Sequence, residues 1–271
     1  MKHQTIQFEN RGGIGIMTLN RPERLNAINR QMIDETKELM SALEKDDGIR
    51  VLVLQGAGRG FCSGFDLKDG AAAERTGIAE WRPVIERDFD FIMQFWHFPK
   101  PTIAAVHGAA IAAGCELAMA CDITIADATA RFGEPELRFG SGIVALLMPW
   151  MAGPKKAKEW LLSGFDRIGA DEALSWGLIN RAVPAGEHVE AALRLARDIA
   201  VNDRLKVAMV KQAINRSLDI MGFREALTMG MEMEVQIEAM DTQEGREFDE
   251  IVRRDGLKAA LAWRDARFDQ N

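Results

Sequence analysis

An α/β fold is predicted for this chain, with parallel-sheet units in the N-terminal part and a helical region after them. Three observations carry that prediction. Residues 51–54 are a short run that is apolar throughout, and 102–106 are apolar after Thr102, as strands buried on both faces are. The stretches before them, residues 28–43 and 78–97, place apolar residues at helical spacing. Beyond about Pro154 the pattern is almost wholly helical.

The elements can be justified in order. Thr5-Ile6-Gln7-Phe8 and Ile14-Gly15-Ile16-Met17-Thr18-Leu19 alternate or run apolar, and Gly12-Gly13 separates them, which reads as a hairpin. Asn20-Arg21-Pro22 breaks the second strand. Ile28, Met32, Ile33, Leu39, Met40 and Leu43 then recur on one helical face. The strand at 51–54 runs into a glycine-rich loop at 56–64. An amphipathic helix follows over 78–97, and Pro99 and Pro101 stop it before the strand at 102–106. The order strand, helix, strand, helix, strand indicates parallel crossover units. Helices are expected over 157–163, 170–176, 189–201, 204–218, 223–240 and 242–253. No low-complexity tract divides the chain, and no fixed-period repeat is found.

Composition narrows the function classes. The 271 residues are 47% hydrophobic and 28% charged, ordinary for a soluble protein with one large domain or one domain and a helical appendage. The first residues, Met1-Lys2-His3-Gln4-Thr5, lack the apolar core of a signal peptide. The apolar stretch at 101–115 is too short for a bilayer and is followed by Glu116 and Asp122. Three cysteines, Cys62, Cys115 and Cys121, are too few and odd in number for a disulfide scaffold and fit a reducing cytoplasm. A net charge of −7, with no basic stripe, argues against nucleic acid. His3, His97, His107 and His188 are scattered without ligand spacing, so no metal site is expected.

Three segments have the residue types for chemistry. Gly58-Arg59-Gly60-Phe61-Cys62-Ser63-Gly64-Phe65-Asp66-Leu67 follows a strand, and its glycines allow backbone N–H groups to approach a ligand. It is not a dinucleotide fingerprint, because Phe61 stands at the last glycine position and no helix opens directly behind it. Val106-His107-Gly108-Ala109-Ala110-Ile111-Ala112-Ala113-Gly114-Cys115-Glu116-Leu117 crowds small residues at a helix start, where an anion can be held. Taken alone, the segment is better read as close helix–sheet packing by Ala and Gly, with Glu116 a solvated helix residue. Arg131-Phe132-Gly133-Glu134-Pro135-Glu136 offers carboxylates that matter only if they converge with Glu116.

Taken together and in this order, the three segments resemble the enoyl-CoA hydratase/isomerase (crotonase) superfamily. Leu19-Asn20-Arg21-Pro22-Glu23-Arg24-Leu25-Asn26-Ala27, Cys121-Asp122-Ile123, Gly169-Ala170-Asp171-Glu172-Ala173 and Trp176-Gly177-Leu178-Ile179-Asn180 extend the resemblance over roughly residues 5–250. It implies a spiral of β-β-α units in residues 1–200, holding an acyl-CoA site, and a helical trimerisation region in residues 201–271. The oxyanion hole is implied at the backbone N–H groups of Phe65 and Ala113. Glu116 and Glu136, twenty residues apart, would be the catalytic pair. Coenzyme A, as part of the substrate, would lie along Arg24, Ala27, Ser63, Gly64, Asp66 and Leu67.

In one place the chain departs from the family. Hydratases usually carry Pro-Gly after the second glutamate, where this chain has Ile143-Val144, so these two residues are expected to reshape the acyl pocket. The activity implied is reversible addition of water to a trans-2-enoyl-CoA, without metal or redox cofactor. The alternatives are a Δ3–Δ2 enoyl-CoA isomerase or another crotonase reaction on an acyl-CoA. A non-catalytic acyl-CoA- or RNA-binding relative is disfavoured by charge and by retention of both glutamates. The family forms trimers and hexamers, and Met229, Met231, Met233 and Val235 fit burial either against a neighbour or within the subunit. His107 reads as a packing residue, Cys62 and Cys115 as inert thiols, and Trp150 and Trp160 as core.

Overall fold

The computed structural model describes residues 3–67 and 75–267. β1 (Ile6–Arg11) and β2 (Ile14–Leu19) form the expected antiparallel hairpin, with Ile6 opposite Leu19. Gly12 and Gly13 connect them at φ 62° and 88°, a turn that glycine makes without steric cost. A 3-10 turn (Pro22–Arg24) leads to α1 (Arg30–Lys45), whose N-cap Asn29 accepts a hydrogen bond from the Met32 N–H. Next come β3 (Val51–Gly56), α2 (Ile78–His97), β4 (Thr102–Val106), β5 (Ala109–Ile111) and α3 (Ala113–Ala120). β6 (Ile123–Asp127) and β7 (Arg131–Gly133) precede a second 3-10 turn (Glu136–Phe139), α4 (Met148–Met151) and α5 (Pro154–Ser163). β8 (Ile168–Gly169), α6 (Ala170–Trp176) and β9 (Arg181–Val183) follow, then α7 (His188–Ala200), α8 (Arg204–Ile220), α9 (Phe223–Glu238), α10 (Gln243–Asp255) and α11 (Leu257–Ala266).

The larger sheet has the order β1-β2-β3-β4-β6-β9, and it is parallel from β2 onward. A smaller sheet, β5-β7-β8, is fed by the strands that directly follow β4 and β6. Successive units thus place one strand in each sheet before the helix returns, which is the spiral of β-β-α units. The short strands β5 to β9 escape periodicity analysis because none exceeds five residues. Two of them, β8 and β9, interrupt the region that reads as wholly helical after Pro154.

The all-apolar strands are explained by burial on both faces. Leu52, Leu54, Ala104 and Val106 point into the main core with α1, α2 and α3, while Val51, Val53, Ile103 and Ala105 meet Ala191, Ala192, Leu193 and Ala196 of α7. Trp160 is core, and Trp150 packs partly buried against Phe223. The C-terminal helices behave differently from one another. α8 buries none of its residues and exposes Leu205, Met209, Val210 and Ile214. α9 sends Phe223 and Leu227 into the main core, and packs Met231 and Val235 against Ile85 of α2. Met229 and Met233 remain exposed. Residues 1–2 and 268–271, at the ends of the two expected regions, lie outside the described residues.

Candidate active site

The site is built around the loop that leaves β3. Asn26, fully buried at φ 56°, donates through Nδ2 to the carbonyls of Ala57 (2.8 Å), Gly60 (2.9 Å) and Phe61 (3.1 Å). Its Oδ1 accepts from the Arg21 N–H at 2.9 Å. Both the amide nitrogen and the amide oxygen of one side chain are therefore engaged in shaping this loop. Cys62 stitches the loop to β5 with two hydrogen bonds: its N–H donates to Ala109 O, and its carbonyl accepts from the Ile111 N–H. Ile28 grips the far side, donating to Gly64 O and accepting from the Asp66 N–H, both at 2.8 Å.

This stitching brings two backbone donors together. Gly64 has φ +91°, and a Cβ there would lie 2.7 Å from Ala112 Cβ and 3.4 Å from Ala113 N. A Cβ on Gly114 would lie 2.3 Å from Cys62 O. Only glycine at 64 and 114 lets the loop lie against the start of α3. Ala113 is the first residue of α3, so its N–H has no intrahelical acceptor. Among the loop and cap hydrogen bonds of the described residues, neither the Phe65 nor the Ala113 N–H is spent. The Phe65 ring stacks edge-on against Phe91 of α2, at 6.3 Å between centroids. Ala112, the N-cap of α3, holds φ 57° and ψ −135°, a conformation that L-residues rarely adopt.

Three glutamates meet beside these donors. Glu116, in the first turn of α3, accepts from the Val144 N–H through Oε1 and the Ala145 N–H through Oε2, each at 3.1 Å. Burial pushes its carboxyl well above the ordinary range, and the charge of Glu136 adds to this. The two N–H donors oppose that rise. Glu136, buried at the start of the second 3-10 turn, is pushed up to about 8, chiefly by burial. Glu134 is fully buried against Glu136, and burial and the Glu136 charge push it well above its ordinary value. Like charges in a dry site cannot all ionise, so this group holds protons at neutral pH.

The remaining expected site residues lie around this centre. Ile143 and Val144 are half-buried and pack against the main core. Ser63 donates its N–H to Leu25 O at 3.0 Å, and Ala27 is buried with its N–H on Arg24 O. Arg24 and Leu67 are exposed. Asp66 forms an ion pair of 2.9 Å with Arg21, most of it shielded from water. His107 sets Nε2 3.0 Å from Gly58 O and stacks on His188. All three thiols are buried and free; burial pushes Cys62 up to about 12 and Cys115 and Cys121 also upward. Among the described residues no group of side chains could hold a metal ion, and no helix is long and apolar enough to cross a membrane.

Sequence reasoning missed two further carboxylates, Glu234 and Glu238 of α9. Glu234 is buried, and Glu238 is partly so. Their signal is positional: they continue the stripe of Leu227, Met231 and Val235, where a helix facing a core should be apolar.

Comparison with known proteins agrees with this geometry. Residues 9–254 match the family profile described as enoyl-CoA hydratase/isomerase. The chain belongs to the enoyl-CoA hydratase/isomerase family. A crystal structure of an enoyl-CoA hydratase/isomerase from Xanthobacter autotrophicus Py2 shares 47% identity and superposes with a TM-score of 0.96, covering 98% of this chain and 99% of that one. A putative enoyl-CoA hydratase of Thermus thermophilus is 32% identical over 97% of this chain and 100% of its own length. A 1,2-epoxyphenylacetyl-CoA isomerase of Escherichia coli is 35% identical over 94% of this chain and 95% of its own. Like other members of the enoyl-CoA hydratase/isomerase family, the chain has the crotonase fold, and the family acts on acyl-CoA thioesters.

Proposed function

We propose that this protein is an enoyl-CoA hydratase, adding water reversibly to a trans-2-enoyl-CoA. The observation that carries the reading is the convergence of Glu116 and Glu136, two buried and electrostatically linked carboxyls, beside the N–H groups of Phe65 and Ala113. Glu116 as carboxylate takes a proton from water while the oxygen attacks C3. The electrons of the double bond move onto the thioester oxygen, which the two N–H groups hold as an enolate. Each such donor is worth about 3–4 kcal/mol in a dry site. Glu136, protonated at neutral pH because its carboxyl titrates at about 8, gives its proton to C2. With that proton in place its charge no longer opposes ionisation of Glu116, whose anion is favoured by two N–H donors and a helix N-terminus.

Arg24, Ala27, Ser63, Gly64, Asp66 and Leu67 would carry the coenzyme A portion, with no metal or redox cofactor needed. The exposed apolar residues of α8 support the second half of the reading, a homotrimer or hexamer formed through residues 201–271. The three buried free thiols fit a cytoplasmic setting.

Isomerisation is the second reading, because Ile143 and Val144 stand where hydratases usually carry Pro-Gly, in the loop that binds Glu116, and because one relative is named an isomerase. The deciding experiment is loss of the enoyl-thioester absorbance of crotonyl-CoA, then of longer and branched 2-enoyl-CoAs. Rapid loss with a 3-hydroxyacyl-CoA product supports hydration. Silence with every 2-enoyl-CoA, alongside conversion of 3-enoyl-CoAs, makes the protein an isomerase.

A further inference from the structure

The segment between Glu136 and α4 is held by carboxyl groups at both ends. Toward α3, Glu116 takes the N–H groups of Val144 and Ala145. Toward α9, Glu238 accepts from the Ser141 hydroxyl, and Gly142 lies with its N–H against the carboxyls of Glu234 and Glu238. The fit at Gly142 is close: a Cβ there would fall 1.8 Å from Glu234 Oε2 and 3.0 Å from Ile237 Cδ1. Glu234 and Glu238 stand one helical turn apart and hydrogen-bond to each other, so at least one carries a proton.

We propose that Glu234 and Glu238 form a protonated latch on α9 that positions Glu116, by fixing the loop whose next N–H groups hold the Glu116 carboxylate. They are positioning residues, and their link to catalysis rests on the hydratase reading above.

The geometry assigns them distinct parts. Glu234 donates its carboxyl proton to Glu238, Glu238 as anion accepts from Ser141, and the Gly142 N–H faces both carboxyls. The surroundings are almost all acidic. Glu234 faces Glu136 from the second 3-10 turn, and its charge reaches Glu116 on α3. Glu238 faces Asp249 of α10 and lies close enough to Asp88 of α2 to act on its charge. The cations nearby are engaged elsewhere: Arg87 pairs with Asp88, and Arg264 of α11 pairs with Asp265 and acts on Glu136. Loss of the shared proton therefore places two adjacent anions among further carboxylates, which drives α9 and the loop apart. Burial pushes Glu234 up to about 9, so the latch opens only in alkaline solution.

The test reads the loop directly, by hydrogen–deuterium exchange of the peptide covering residues 140–147, normalised to intrinsic rates and followed from pH 6 to 10. In the wild type, protection should fall at least about tenfold as pH passes the titration of the pair. Glu234→Gln mimics the protonated carboxyl and should keep its protection throughout. Glu234→Leu should be unprotected at every pH and should lower kcat about tenfold or more, with KM within about twofold. If Glu234→Leu does not fold, Glu238→Gln, which leaves Ser141 a weaker acceptor, should give partial deprotection. Identical pH profiles for wild type and Glu234→Gln, or wild-type protection in Glu234→Leu and Glu238→Gln, would overturn the latch. Exchange does not depend on the reaction catalysed. A wild type that hydrates none of the crotonyl, longer or branched 2-enoyl-CoAs but shows the expected exchange sinks the hydratase reading and leaves the latch standing.

Discussion

Glu116 Oε1 accepts the Val144 N–H at 3.1 Å, so one of the two residues that stand in place of Pro-Gly also helps hold the carboxyl proposed as the base. Its neighbour Ala145 does the same for Oε2. Because both contacts come from backbone, the side-chain change at 144 preserves them. Water activation then depends on the charge of Glu116. Glu116→Gln keeps the shape and removes the base. It should lower hydration about 10³-fold, while C2-proton exchange through Glu136 persists. Enoyl absorbance and deuterium incorporation at C2 measure the two separately; intact hydration in Glu116→Gln would end the two-glutamate mechanism.

Gly64 controls where the Phe65 N–H points. A methyl there meets Ala112 Cβ at 2.7 Å and Ile111 O at 3.2 Å, and φ +91° is strained for any other residue. Gly64→Ala should cost about 2 kcal/mol in stability. It should also lower kcat about 10²-fold by displacing one donor to the enolate oxygen. Urea denaturation and turnover on the same preparation test both effects.

Asn26 gives a prediction about stability alone. Asn26→Ala strips hydrogen bonds from the carbonyls of Ala57, Gly60 and Phe61 and leaves alanine at φ 56°. The expected loss is roughly 3 kcal/mol, seen as a lower urea midpoint at unchanged slope. Asn26→Asp keeps one acceptor for the Arg21 N–H but loses the Nδ2 donors, so it should recover little.

Much of this arrangement is legible in the residues. The apolar runs at Val51 and Thr102 announce buried parallel strands because both their faces are covered. The glycine spacing around Gly64 and Gly114 marks backbones that must approach closely. Convergence is what local pattern does not encode. Glu116 and Glu136 reach one place because β6 and β7 fill the twenty residues between them, and strands this short leave little periodicity. Glu234 and Glu238 come from a helix about a hundred residues further on. A glutamate on an apolar stripe is visible in sequence, but its partners, Gly142 and Ser141, are not.

Ala112 is a place where the chain is strained beside its own site. At φ 57° and ψ −135° its methyl opposes Gly64. Ala112→Gly should stabilise the protein by about 1 kcal/mol, strain relief exceeding the added chain entropy of glycine. A rise in Tm with kcat preserved would show that the strain is not needed to place the Ala113 N–H; a fall in kcat would show that it is.

Glu136 sets the pH dependence, and the sign differs by direction of reaction. Hydration needs its carboxyl protonated, so kcat should fall as pH rises through about 8, and it should fall on the acid side as Glu116, whose carboxyl is also raised, takes up a proton. Dehydration needs the carboxylate to remove the C2 proton, so that rate should rise toward the same pH. Stability follows from linkage. The folded state holds this proton up to about 8, whereas the unfolded chain releases it near 4.5. The contribution is complete below 4.5 and is lost as pH rises through 8. Tm should therefore decline across that window in the wild type, and Glu136→Gln should flatten the decline while abolishing C2-proton exchange. A Tm profile unchanged by Glu136→Gln would mean that the proton held near neutrality belongs to Glu134 or Glu116, and would move the acid role with it.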